Sequence, residues 1–203
     1  IMSLDGQPFL SGDFSDIKIL ATNTLAIQDS TGKWTITDRT GAPLSAKRYD
    51  KVGNMDDSLA AVQVGQKYGY IDPRGKEAIA VNLTAFDNIA DAKFSQERAK
   101  TAYRNKYGMI NTAGKRLLPN LFDDIIPSPN WPVPVQRSGL WGYADSKMNI
   151  IIKCIYDSAQ PFSQGRAIVV RKGQWGVINE KGVILIPLEY SNIEPLGMSD
   201  VIN

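Results

Sequence analysis

An aromatic–glycine pair returns along this chain at a nearly constant interval: Tyr68-Gly69, Tyr107-Gly108, Trp141-Gly142 and Trp175-Gly176. Trp34-Thr35 is a fifth copy whose glycine is replaced. Neighbouring anchors lie 34 residues apart, except that Tyr68 and Tyr107 are separated by 39. A second landmark keeps step, an aromatic followed by a short polar residue: Tyr49-Asp50, Phe86-Asp87, Phe122-Asp123, Tyr156-Asp157 and Tyr190-Ser191. The hexapeptide Phe94-Ser95-Gln96-Glu97-Arg98-Ala99 also returns as Phe162-Ser163-Gln164-Gly165-Arg166-Ala167, two periods later. Such self-similarity constrains the fold more than composition does, because each copy is one supersecondary element that must bury its apolar face against the next.

The element itself reads as β structure. Four residues after the anchors stand Asp38, Asp72, Asn111, Asp145 and Asn179, and three residues further on Gly41, Gly75, Gly114, Met148 and Gly182. Asp or Asn followed by glycine suits a tight turn, the side chain taking backbone N–H groups and the glycine a positive φ. In the last repeat, Arg166–Arg171 predicts a strand and Trp175–Asn179 its antiparallel return. Val183–Pro187 predicts a third strand, and the segment around Tyr190–Ile193 a short fourth. β-Branched residues fill these runs, and no segment carries a capped 3.6-residue apolar period. The fold class is all-β: tandem antiparallel meanders of about 34 residues. One repeat domain spans residues 1–203, with a partial first unit at 1–33 followed by 34–67, 68–106, 107–140, 141–174 and 175–203. An open repeat array is preferred. The alternative is a six-unit β-propeller of small blades, which Met198–Asn203 would seal by pairing with the N-terminal unit.

Aromatic–Gly, Asp or Asn, Gly, then Tyr-Asp at this period resembles the bacterial WG-repeat family. Tyr68–Gly75 and Trp175–Gly182 match its motif closely, whereas Trp34-Thr35 and Met148 depart from it, so the first and fourth repeats are expected to be locally irregular. The resemblance implies β repeat modules without an established catalytic role, assumed to mediate binding. It favours the bacterial envelope or periplasm over the cytoplasm.

Composition removes several functions. The chain has no histidine, so Ser-His-Asp and Cys-His catalysis and His-ligated zinc are excluded. Its one cysteine, Cys154, lies in an apolar run and reads as a small buried hydrophobe. A net charge of +2 without a block of like charge argues against nucleic acid as partner. No stretch approaches the ~18 apolar residues of a membrane span. The expectation is a monomeric, non-catalytic module that binds another protein and needs no cofactor or metal. Carbohydrate or cell-wall binding through exposed aromatics, and neutralisation of a bacterial toxin, are the alternatives.

Candidate contact residues come from departures from the repeat, which the scaffold does not require. The anchors Trp34, Tyr68, Tyr107, Trp141 and Trp175 are strictly periodic and read as inter-repeat core rather than a ligand ladder. The periodic acids read as turn acceptors. Pro127–Pro134 replaces ordinary repeat sequence without changing its length, and Trp131 stands where the next repeat has Gly165. Trp131, with Pro129 and Pro132, is therefore a candidate contact. The lengthened repeat supplies the others, Arg98 and Arg104, within the densest basic stretch of the chain. The competing reading of that stretch is a solvated edge that discourages strand pairing.

Overall fold

The fold was described from a computed structural model, covering residues 13–84, 86 and 88–194. The expected seal by Met198–Asn203 lies outside these residues. The described chain is a succession of antiparallel four-stranded meanders; three form separate sheets, and the second and third join into one sheet of eight strands. The first holds β1 (Asp16–Ala21), β2 (Thr24–Gln28), β3 (Trp34–Thr37) and β4 (Pro43–Tyr49). The second holds β5 (Lys51–Asp56), β6 (Leu59–Val64), β7 (Lys67–Ile71) and β8 (Glu77–Thr84). A 3₁₀ turn, Ile89–Ala92, precedes the third: β9 (Phe94–Ser95), β10 (Arg98–Tyr103), β11 (Lys106–Asn111) and β12 (Arg116–Phe122). The fourth holds β13 (Asp124–Ile125), β14 (Val133–Arg137), β15 (Leu140–Ala144) and β16 (Ile150–Tyr156). The fifth holds β17 (Ser158–Ala159), β18 (Arg166–Arg171), β19 (Gln174–Asn179) and β20 (Ile184–Tyr190). One pairing, Thr84 with Ala102, links the second sheet to the third. The chain divides into two units, Ile1–Asn120 and Leu121–Asn203.

The anchor of each repeat sits on the third strand of its meander, and Tyr49-Asp50, Phe122-Asp123 and Tyr156-Asp157 each close one meander and lead into the next. The short fourth strand expected around Tyr190–Ile193 is not separate: β20 runs on to Tyr190, and the sheet's remaining strand is Ser158–Ala159, upstream.

The glycine after each anchor has a steric cause. Trp141 pairs with Tyr156 and Tyr143 with Ile152, so one residue of β15, Gly142, faces three of β16 and the outer strand bulges. The bulged peptide lies on Gly142, where a Cβ would stand 2.4 Å from the Ile152 carbonyl oxygen. Gly69, Gly108 and Gly176 have the same roof, at 2.5, 2.6 and 2.8 Å. In the first sheet Thr35 pairs regularly with Arg48, and the register shift falls after it. The first repeat is thus irregular where its glycine is missing.

The Asp and Asn landmarks build one recurring turn. Asp72 Oδ1 accepts from Arg74 N at 2.9 Å and Lys76 N at 3.0 Å, while Gly75 N donates to Asp72 O. Asp38, Asn111, Asp145 and Asn179 repeat the pattern. Gly75, Gly114 and Gly182 take φ of 76°, 72° and 77°. Met148 holds the same place at φ 70°, a conformation that disfavours a side chain. Met148→Gly is therefore expected to raise stability by about 1 kcal/mol, read as an upward shift in the thermal midpoint.

The second acid series staples consecutive sheets. Asp50 N donates to Gln63 O, and Asp50 Oδ2 accepts from Gly65 N at 2.6 Å, in the hairpin turn of the sheet that follows. Asp123 does the same with Gln136 O and Ser138 N, and Asp157 with Val170 O and Gly173 N. The Lys33 ammonium and the Gly65 N–H hold Asp50 below the ordinary carboxylate value of 3.8. The Asn149 N–H lowers Asp145 and the Thr40 hydroxyl lowers Asp38. A lowered folded value means that this stabilisation is complete above the ordinary value and is lost as pH falls through the folded one. With no histidine to titrate, the thermal midpoint should be flat from about pH 5 to 8 and fall below about pH 4.

Apolar side chains pack sheet on sheet within each unit. Trp34, Ile36 and Tyr49 of the first sheet meet Val52, Ala60, Val62 and Ile71 of the second. Tyr68, Tyr70 and Ile79 of the second meet Phe94, Ala99 and Ile110 of the third. Tyr143, Ile152 and Tyr156 of the fourth meet Phe162, Ala167, Val169 and Ile178 of the fifth. The repeated hexapeptide is explained here. Phe94 lies 4.7 Å from the Tyr70 ring and Phe162 4.7 Å from the Tyr143 ring, and the two positive-φ residues that follow turn the chain.

Candidate functional site

The 39-residue interval marks the place where the scaffold is interrupted. Elsewhere a single aspartate joins consecutive sheets: Asp50, Asp123 or Asp157. Between β8 and β9 the link is longer, and its described part, residues 86 and 88–93, is a strap held by its 3₁₀ turn. Asn88 Oδ1 accepts from Ala90 N at 3.0 Å and caps the turn. Ala92 and Ile89 anchor it in the cluster around Tyr68 and Phe94. Phe86 stacks on Tyr107, centroids 6.3 Å apart and rings 8° from parallel.

The strap walls two concave sites of the N-terminal unit. The larger, of about 470 Å³, is lined by Lys18, Asn54, Asp56, Asn88, Ile89 and Lys93 among others. Lys18 Nζ donates to Val52 O at 2.6 Å and lies 4.9 Å from the Trp34 ring centroid, so this cation is tied to the scaffold. The smaller, of about 180 Å³, is lined by Thr84, Phe86, Asp91, Tyr103, Arg104, Asn105 and Tyr107. Arg104 and Asn105 form its rim in a positive-φ hairpin turn after β10, with the Arg104 guanidinium 5.1 Å from the Tyr103 ring. Tyr103 is half exposed. These surfaces offer amide, carboxylate, cationic and aromatic groups. Burial pushes the Cys154 thiol up, away from the thiolate form. Among the described residues no group of three or more Cys, Asp and Glu side chains is placed to hold a metal ion.

The residues singled out from the sequence divide between the units. Arg104 lies on the smaller site. Arg98 is half-buried on β10, between Ser95 and Asn111 of the neighbouring strands, so it is not on a free edge. In the C-terminal unit Trp131 is half-buried, Pro132, Val133 and Pro134 are buried, and Pro129 is exposed. Pro134 stays within β14, and its carbonyl accepts from Ile126 N at 3.1 Å. Among the anchors, Trp34 and Tyr68 are buried and Tyr107, Trp141 and Trp175 half-buried. The sequence reading missed Phe86, Tyr103, Asn54, Asn88 and Lys93 as lining residues. Their signal was the five extra residues, which mark where the chain leaves the template.

Comparisons with known proteins follow this geometry. No curated protein matches the chain. A crystal structure of the eukaryotic initiation factor is similar in fold, with 14% identity, 87% of this chain and 55% of that chain covered, and a TM-score of 0.52. BamB from Moraxella catarrhalis shares 11% identity over 81% of this chain and 57% of its own, with a TM-score of 0.42. The WD40 β-propeller domain of Doa1 shares 9% over 85% and 67%, with a TM-score of 0.38. The chain thus spans little more than half the length of the first two. The family model described as WG containing repeat matches residues 34–68, 141–175 and 175–196. Over those three regions the chain matches the WG-containing repeat.

Proposed function

We propose that the chain is a non-catalytic binding module whose ligand is another protein, gripped at the strap. The observation that carries this reading is the lengthened repeat. It alone replaces a one-residue link by a capped, anchored strap, and both concave sites described above lie against it. Their mixed lining suits peptide backbone and side chains, and binding surfaces of repeat scaffolds are built by such local departures.

Sugar stacking is the weaker reading because the aromatic faces are taken. Phe86 lies on Tyr107, Lys100 Nζ is 4.9 Å from the same ring, and Arg104 covers Tyr103. The test is capture of proteins from host extract on the immobilised full chain, with glycan titration followed by tryptophan fluorescence in parallel. Saturable retention of a defined protein, with no response to glycans, is the expected result. Retention of no protein together with a saturable glycan response would overturn it.

A further inference from the structure

The larger concave site of the N-terminal unit gathers two cations that the repeat does not call for. Lys18 follows the strand pair Ile17–Ile27 on β1. In the second, fourth and fifth meanders the matching pairs are Val52–Val62, Ile125–Val135 and Ala159–Val169. The residues that follow them are Gly53, Ile126 and Gln160, none of them charged. Lys93 belongs to the lengthened link, where it ends the 3₁₀ turn with extended backbone. It is exposed and, among the described residues, makes no ion pair.

The site is rich in hydrogen-bond donors that the scaffold does not consume. The half-buried Lys18 ammonium gives one N–H to Val52 O at 2.6 Å and is held 4.9 Å from the Trp34 ring centroid. It is thereby fixed in place with two donors left. Asn88 Oδ1 accepts from Ala90 N, which orients the amide and leaves its NH₂ group. β5 bulges along the same wall. Val52 faces Val62 and Met55 faces Ala60, so Gly53 and Asn54 together oppose Ala61 alone. Gly53 adds no side chain to the lining, and Asn54 adds a second exposed amide.

The charge balance selects among anions. Lys18 and Lys93 against Asp56 leave the lining with one net positive charge. A carboxylate carries one negative charge and accepts several N–H donors, so it matches this balance. A phosphate dianion exceeds it and is repelled more strongly by Asp56. We propose that the larger site receives an acidic side chain, Asp or Glu, of the bound protein, with the Lys18 and Lys93 ammonium groups as its countercharges. This rests on the strap being the protein-binding surface and names the side chain that the surface selects.

The test follows the backbone amide resonances of the full chain during titration with the blocked pentapeptide acetyl-Gly-Ala-Glu-Ala-Gly-amide. Its Gln counterpart and inorganic phosphate are titrated in parallel, each to about 10 mM, a range that detects millimolar affinity. The glutamyl peptide should shift the amides of Asn54, Asn88, Ala90 and Lys93 and bind at least about fivefold more tightly than the glutaminyl peptide. Lys93→Gln should remove most of that preference, whereas Lys181→Gln, which deletes the same charge from a turn of the fifth sheet, should leave it unchanged. No response, equal responses to the two peptides, a response to phosphate alone, or equal loss in the two variants would overturn the proposal. Capture of a protein beside a silent glutamyl peptide would also overturn it while leaving the binding module standing. A glutamyl response with no protein retained would uphold this site and count against the module.

Discussion

Replacing Gly142 by alanine should cost about 3 kcal/mol or more, although it adds a single methyl group to a strand. The new Cβ would stand 2.4 Å from the Ile152 carbonyl oxygen and 2.7 Å from both Lys153 C and Cys154 N. All three are backbone atoms of the bulged outer strand, so no side chain can rotate away, and overpacking of this kind costs at least 1–3 kcal/mol. At 2–4 °C per kcal/mol for a chain of this size, the thermal midpoint should drop by roughly 6–12 °C. Gly165→Ala is the control. It has nothing within 4 Å and only its φ of 73° to oppose a side chain, so about 1 kcal/mol is expected. Equal effects at the two positions would mean that the roof over the anchor glycine does not determine it.

The second large effect is expected at Tyr143, which is fully buried, 4.7 Å from the Phe162 ring, and donates from its hydroxyl to Gln160 O at 2.8 Å. Tyr143→Ala opens a cavity between the fourth and fifth sheets and should cost about 4 kcal/mol in denaturant unfolding. Tyr143→Phe removes only the hydrogen bond and should cost about 1 kcal/mol. The equivalent Tyr70 supplies an internal contrast, since its buried hydroxyl, beside that of Tyr68, makes no hydrogen bond of ordinary geometry. Tyr70→Phe removes an unsatisfied polar group and should be neutral or slightly stabilising.

The period, the all-β class and the turn at Asp38, Asp72, Asn111, Asp145 and Asn179 were legible in the sequence. Each depends on residues within a few positions of one another. The phase of the sheets was not. Whether Tyr190 ends one strand or begins another depends on which strands exchange hydrogen bonds, and β20 simply continues through it. Its pairing partner, Trp175, lies 15 residues upstream and leaves no local mark at Tyr190. The basic stretch shows the same limit. Arg98 looks like an edge residue in sequence, yet β10 pairs on both sides. The concave sites were legible only as five surplus residues, because Lys18 and Lys93 lie 75 positions apart and meet through the stacking of sheets. Trp131 stands off the template in sequence and is half-buried, and Pro132–Pro134 beside it are buried.

The repeat is scaffold, and binding is proposed at its departure, whose described part is residues 86 and 88–93. The direct test is the dissociation constant for the captured protein, measured on three folded forms of the chain. Arg104→Asn combined with Tyr103→Ser alters the smaller site while keeping a residue tolerant of positive φ in the turn. Lys172→Asn makes the matching change at a positive-φ hairpin position of the fifth sheet, far from the strap in sequence. The account predicts binding at least about tenfold weaker for the first variant, a loss of about 1.4 kcal/mol, and unchanged binding for the second. Unchanged binding by the first variant, or equal weakening by both, would contradict it.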